Sequence, residues 1–238
     1  LDNMVLAAHE RESYAKWSTG TARAGFRVSG VFLRTTAHVN SPSDFIPHPP
    51  TEIAMARTET PVCEFGLPAP DFSLPGTDGK THNLQSARGP NGLLVMFICN
   101  HCPYVKSVRD RIIRDVRELH GLGIHTVAIM SNDPGDYPED SFDNMKKIAA
   151  ELKFPFPYLY DETQEVAKKY GAVCTPDFFG YNKDLKLQYR GRLDDSGRSP
   201  SPAARPELLD AMRQIAATGQ GPREQQQAIG CSIKWKTA

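Results

Sequence analysis

Nowhere in this chain of 238 residues is there a run of the roughly 18 consecutive apolar residues that a membrane-crossing helix needs, so an apolar helical span is excluded. A net charge is missing too. Lys and Arg total 28 against 28 Asp and Glu, and that balance argues against nucleic acid or an acidic membrane surface as the main partner. Cysteine is scarce and odd in number, at five, which excludes the disulfide framework of a small secreted domain. Reduced thiols in a cytoplasmic setting are therefore expected. The N-terminal stretch lacks the apolar core and small-residue cleavage site of a secretory signal, and the chain shows no internal repeat.

What is present divides unevenly. Residues 1–60 lack a sustained period and include the proline-rich "NSPSDFIPHPPTE", the composition of an extension with little order. Between Ser13 and Ser43 this segment carries Lys16, Arg23, Arg27 and Arg34 with no acid, as organelle transit peptides do. Met55 offers an alternative natural start, which would make residues 1–54 read-through or an unstructured leader. Patterned sequence runs over 61–218, and 219–238 reads as a polar C-terminal tail.

Within the patterned part, "NGLLVMFI" (91–98) is a short apolar run opened by turn residues, as in a strand buried on both faces. Val105, Val108, Ile112, Val116 and Leu119 then mark one stripe of a helix closed near Gly121 and Gly123. A second buried strand, 124–130, completes a βαβ unit with a right-handed crossover. Further on, a helix is predicted near 140–152, a short strand in "FPYLYD", and a brief helix ended by Gly171. Two antiparallel strands follow around Asn182-Lys183-Asp184, then a last helix near 205–217.

The chemistry concentrates in "FICNHCPYVKSVRD". If the helix starts at Pro103, proline occupies the first helical position at no hydrogen-bond cost and Cys102 becomes the N-cap. Its sulfur then faces free backbone N–H groups and the positive end of the helix dipole, with Lys106 one turn on. Such surroundings favour the thiolate, the form that attacks disulfides and peroxides. Three extended residues would separate the Cys99 and Cys102 Cα atoms by about 10 Å. A disulfide tolerates about 7 Å, so their closure requires a turn at Asn100-His101. His101, titrating near neutrality, is expected at the solvent or substrate edge, where its charge would tune the thiols. A thiolate metal site built from Cys99, His101 and Cys102 with Cys174 or Cys231 is the alternative of another class. Against it, a four-ligand zinc site usually shows a second close-spaced pair, which the sequence lacks, and neither cofactor nor resident metal is expected.

This order of elements resembles the thioredoxin fold: α/β, a central mixed sheet flanked by helices. The resemblance is carried by "VMFICNHCP" at a strand-to-helix junction, by "CTPDFF", and by the hairpin after it. With the opening segment "GLPAPDFSLPGTDGKTHNL", "YRGRLDD" and the tail "GCSIKWK", the chain is similar to a peroxiredoxin-like, CxxC-containing thioredoxin-fold family of bacterial proteins (AhpC/TSA and thioredoxin superfamily). The resemblance implies a redox enzyme, with Cys102 as nucleophile and Thr175-Pro176 as a cis-proline loop that helps hold the substrate. A disulfide oxidoreductase with Cys99 as resolving thiol is the leading expectation, and an antioxidant thiol peroxidase the runner-up. The partners implied are a protein disulfide or hydroperoxide and a thiol reductant, with Cys174 or Cys231 as further possible resolvers. Peroxiredoxins place Thr or Ser three residues before the reactive cysteine and an Arg beside it. Here Cys99 holds the first place, and Arg190 or Arg192 are the candidates for the second.

Overall fold

The computed structural model describes residues 56–237, and the transit-peptide and start-site expectations for residues 1–54 lie outside them. A five-stranded sheet forms the centre. Strand β4 (Gly92–Phe97), from the apolar run, pairs in parallel with β5 (Ile124–Met130), which pairs in parallel with β6 (Tyr158–Tyr160). On its other side β4 pairs antiparallel with β8 (Asp177–Asn182), and β9 (Leu187–Arg190) closes that edge as the second arm of the expected hairpin. The spatial order is β6-β5-β4-β8-β9.

Side-chain alternation explains why β4 reads as unbroken hydrophobicity. Leu94 and Met96 point into one core with Ile112, Val116 and Met212, whereas Leu93, Val95 and Phe97 point into a second core with Val166, Tyr170 and Phe179. The first core is covered by helices α2 (Pro103–Gly121) and α5 (Glu207–Thr218), with α3 (Phe142–Glu151) at its flank; the second is covered by α1 (Leu84–Ala87) and α4 (Glu165–Tyr170). All five stripe residues foreseen in α2 are buried. Each such side chain contributes on the order of 1.5–3 kcal/mol of burial free energy. Gly171 ends α4 in the left-handed conformation, φ 63°, which glycine adopts without a Cβ penalty. The hairpin β2 (Ser73–Pro75) and β3 (Thr81–Asn83) belongs to the opening segment.

Two boundaries differ from the sequence reading. Arg57–Glu59, assigned to the extension, forms strand β1, and the polar tail contains strand β10 (Ile229–Ser232). These join β7 (Cys174–Thr175) in a small antiparallel sheet, order β1-β10-β7. Strand β10 is thus paired on both sides, and just after it Ile233 is buried in the second core. Pairing partners 56 residues or more away in the chain stabilise β10, which short-range periodicity does not register.

Candidate functional site

Helix α2 begins as its sequence dictates, with Cys102 at the N-cap in extended geometry and Pro103 as the first helical residue. The preceding residues turn, because the Asp140 carboxylate holds them: Oδ1 accepts from the backbone N–H of Asn100 at 2.7 Å and of His101 at 3.1 Å. Asp140 Oδ2 accepts from Asn132 Nδ2 at 2.9 Å and lies 2.6 Å from His101 Nδ1. The bend at Asn100-His101 is therefore held by a carboxylate some forty residues downstream.

Facing this turn is the loop of β7 and Pro176, with a cis Thr175-Pro176 bond. Thr175 touches both cysteines of the motif. Its hydroxyl lies 3.2 Å from Cys99 Sγ and its carbonyl oxygen 3.2 Å from Cys102 Sγ. A third thiol completes the cluster: Cys231, on β10 directly opposite Thr175, places its sulfur 3.0 Å from that of Cys102. All five cysteines of the chain are free thiols.

These contacts polarise the cluster. The Cys102 thiol is pushed well below the usual cysteine range, first by its hydrogen bond with Cys231, then by Cys99, with burial opposing. The Val105 amide in the first turn of α2 adds to this, although the sulfur makes no full capping hydrogen bond. The Thr175 side chain acts in the same direction, and the net direction is downward. Cys99 is pushed up by burial and by the neighbouring Cys102, and Cys231 by its bond to Cys102 and then burial. The three sulfurs are thus pushed apart, Cys102 downward and its two neighbours upward.

The structure corrects several expectations. Cys102, read as a nucleophile at the head of a helix, is a residue with 0% exposure, and Cys231 of β10 is among the groups packed against its sulfur. His101 is buried, not at a solvent edge: its ring stacks on Tyr137 with centroids 4.0 Å apart, and Asp140 fixes its Nδ1. Its Nε2 has no hydrogen-bond partner among the described residues. Lys106 is exposed, and the charge balance of Cys102 is set by other groups. Arg192 is committed to a two-bond pair with Glu207 at 2.8 Å, and Arg190 to Asp177 and the Gly171 carbonyl. Neither arginine takes the place beside Cys102 that a peroxidase would need. Cys174 neighbours Thr175 along the strand, so alternation turns it away from Cys102; its thiol lies near the Pro176 carbonyl and burial pushes it up. Cys63 is half-buried and pushed up to about 11 by burial. Cys231, in the segment read as a polar tail, lies on β10 instead, a strand strapped across the fold.

Cys99, His101 and Asp140 bring potential metal-binding atoms within 4.8 Å of one another. Asp140, however, already receives four hydrogen bonds, about the full capacity of a carboxylate, and is an orienting group in this arrangement. Asp140, Asn132 and Tyr137 are the site residues that sequence reading missed; "SNDPGDYPED" signalled only a turn. Beside the cluster lies a cavity of about 360 Å³, bordered by Tyr104, Pro176, Phe178, Arg192 and Ile229.

Comparison with known proteins agrees with this architecture. A conserved protein from Geobacillus kaustophilus is similar in structure, with a TM-score of 0.74 and 44% identity over 78% of this chain and 100% of that one. The chain is 26% identical over 135 residues to the thiol-disulfide oxidoreductase ResA of Geobacillus thermodenitrificans, covering 55% of this chain and 71% of that protein. At the level of fold alone, a putative thioredoxin from Neisseria meningitidis matches with a TM-score of 0.50 and 20% identity, over 63% of this chain and 90% of that one. The AhpC/TSA family matches residues 65–190, a segment that includes Cys99, Cys102, Thr175 and Pro176 and ends before Cys231. With a thioredoxin-like sheet, a cysteine heading its first long helix and more than half its length matched, the chain belongs to the AhpC/TSA family.

Proposed function

We propose that the protein is a thiol-disulfide oxidoreductase in which Cys102 attacks and Cys99 resolves. The observation that carries this reading is the placement of Cys102 at the N-cap of α2, with Thr175 touching both its sulfur and that of Cys99. The likeness to an oxidoreductase of this class supports it. The engagement of Arg190 and Arg192 by carboxylates, and Cys99 where a peroxidase keeps a hydroxyl, favour disulfides over hydroperoxides as substrate.

The electron count is simple. The Cys102 thiolate attacks one sulfur of a substrate disulfide, the substrate S–S bond breaks, and the first substrate thiolate leaves and takes up a proton. Cys99 then loses its proton, attacks the Cys102 sulfur and releases the second substrate thiolate, which is protonated in turn. Two electrons pass to the substrate, and a thiol reductant restores the dithiol. Thr175 aligns the step through its contacts to both sulfurs, and Asp140 holds the bend that brings Cys99 towards Cys102.

Insulin reduction driven by a dithiol, run beside stopped-flow oxidation by hydrogen peroxide, tests the reading. Wild type is expected to reduce disulfides faster than it consumes peroxide. Cys102→Ser is expected to lose disulfide reduction entirely, and Cys99→Ser/Cys231→Ser, which leaves neither neighbouring thiol to resolve, at least tenfold. Undiminished turnover in Cys102→Ser, or rapid peroxide consumption without disulfide reduction, would overturn it.

A further inference from the structure

Thioredoxin-fold oxidoreductases can hold an extended substrate by adding its strand to the backbone beside the cis-proline, with a substrate sulfur next to the nucleophile. Here that edge is occupied. Strand β10 pairs antiparallel with β7 in the register Cys231↔Thr175 and Ser232↔Cys174, and the one cysteine it carries meets the nucleophilic sulfur at 3.0 Å. Backbone direction, register and sulfur position together are those of a bound substrate strand in which the substrate is this chain's own C-terminal segment.

We infer that β10 is a tethered substrate mimic and that Cys231 exchanges into a disulfide with Cys102, locking the strap across the site. This deepens the reading of Cys102 as a nucleophile and rests on it. The exchange is balanced internally. After a substrate has oxidised the pair to Cys99-Cys102, the Cys231 thiol loses its proton and attacks the Cys102 sulfur. The Cys99–Cys102 bond breaks, and Cys99 leaves as thiolate and takes the proton. No electrons are gained or lost in this step. The reverse attack by Cys99 frees Cys231, and a thiol reductant returns all three to the reduced state.

Packing seats the strap against the site in the reduced protein, ready for the exchange that locks it. Gly230 runs so close to Thr175 that a Cβ there would overlap the Thr175 carbonyl oxygen. Beyond the strand, Lys234 N–H donates to Asn132 Oδ1 at 2.9 Å, and the Gln164 side-chain amide donates to the Lys234 carbonyl at 2.7 Å. The strap is thereby anchored to the same Asn132 that binds Asp140, which holds the Cys99-Cys102 bend.

The test uses the full chain, reduced and then treated with hydroxyethyl disulfide. After acid quench and alkylation, it is read by intact mass and by peptide mapping. Cys99→Ser is expected to lose the mass of two hydrogens with no adduct, and its linked peptides should join Cys102 to Cys231. Cys99→Ser/Cys231→Ser should retain a mercaptoethanol adduct on Cys102. If Cys99→Ser instead holds that adduct while Cys231 is alkylated like a free thiol, the strap disulfide is refuted and the nucleophile reading stands. If Cys102 is oxidised in none of these proteins, the nucleophile reading fails and takes the strap with it.

Discussion

A single cysteine, Cys102, carries the charge on which the chemistry depends, and its surroundings set how stability varies with pH in the reduced protein. Its folded pKa is depressed, so the stability it contributes is fully present above the unfolded cysteine value of about 8.5 and is lost as pH falls toward the folded value. Cys99 and Cys231 are raised, so their contributions are intact below about 8.5 and fade only above it. Asp177 is pushed up to about 6 by burial, and its contribution fades as pH rises through that value; a Cys102→Ser protein shares this and it cancels in comparison. Urea denaturation in a non-thiol reductant should therefore show the margin of wild type over Cys102→Ser growing between pH 6 and 8, by up to about 1.4 kcal/mol per pH unit. A flat margin would mean the sulfur is protonated in the fold. At this scale the sequence was readable where the determinant is local: Pro103 and the stripe after it are enough to place Cys102 at an N-cap. It was unreadable where the partner is remote. His101 reads as exposed because Asp140 is 39 positions away, and Arg192 reads as free because Glu207 lies 15 beyond it.

Elements show the same division. Strands β4 and β5 and helix α2 were legible because each spans enough residues for its period to show, and each is buried along its length. Strands β1, β7 and β10 have two to four residues, and "TGQGPREQQQ" before β10 hides it, so only pairing across the fold reveals them. Close backbone approach makes the strap testable as an element. In Gly230→Ala the added methyl meets the Thr175 oxygen, and neighbouring backbone cannot yield as a flexible side chain would. Overpacking of this kind costs about 1–3 kcal/mol, and here it should fall on the β10–β7 pairing. Local opening should then become more frequent, and iodoacetamide labelling of Cys102 in the reduced protein should speed up by about fivefold or more while the far-ultraviolet circular dichroism stays unchanged. Labelling at the wild-type rate would show that β10 is not what covers the sulfur.

Across the whole molecule, the choice of partner for Cys102 decides how strongly redox state and folding are coupled. A Cys102–Cys231 bond joins residues 129 positions apart and binds the C-terminal strand to the head of the main helix, whereas a Cys99–Cys102 bond closes a four-membered stretch of chain. Loop-closure entropy in the unfolded state differs accordingly, by about 5 kcal/mol for the long loop against about 2 kcal/mol for the short one. Both closures forfeit the thiolate contribution of Cys102, so the difference between them survives that loss. Oxidised Cys99→Ser, locked through Cys231, should therefore unfold at higher urea than oxidised Cys231→Ser, closed through Cys99. The gap should exceed the one between the two reduced proteins by a few kcal/mol. The unfolding slope of the strap-locked form should also be smaller, because a cross-link over most of the folded domain keeps its denatured chain compact. Equal midpoints for the two oxidised proteins would mean that the long-range bond strains the native sheet as much as it restricts the unfolded chain, and that the strap is held by strand pairing alone.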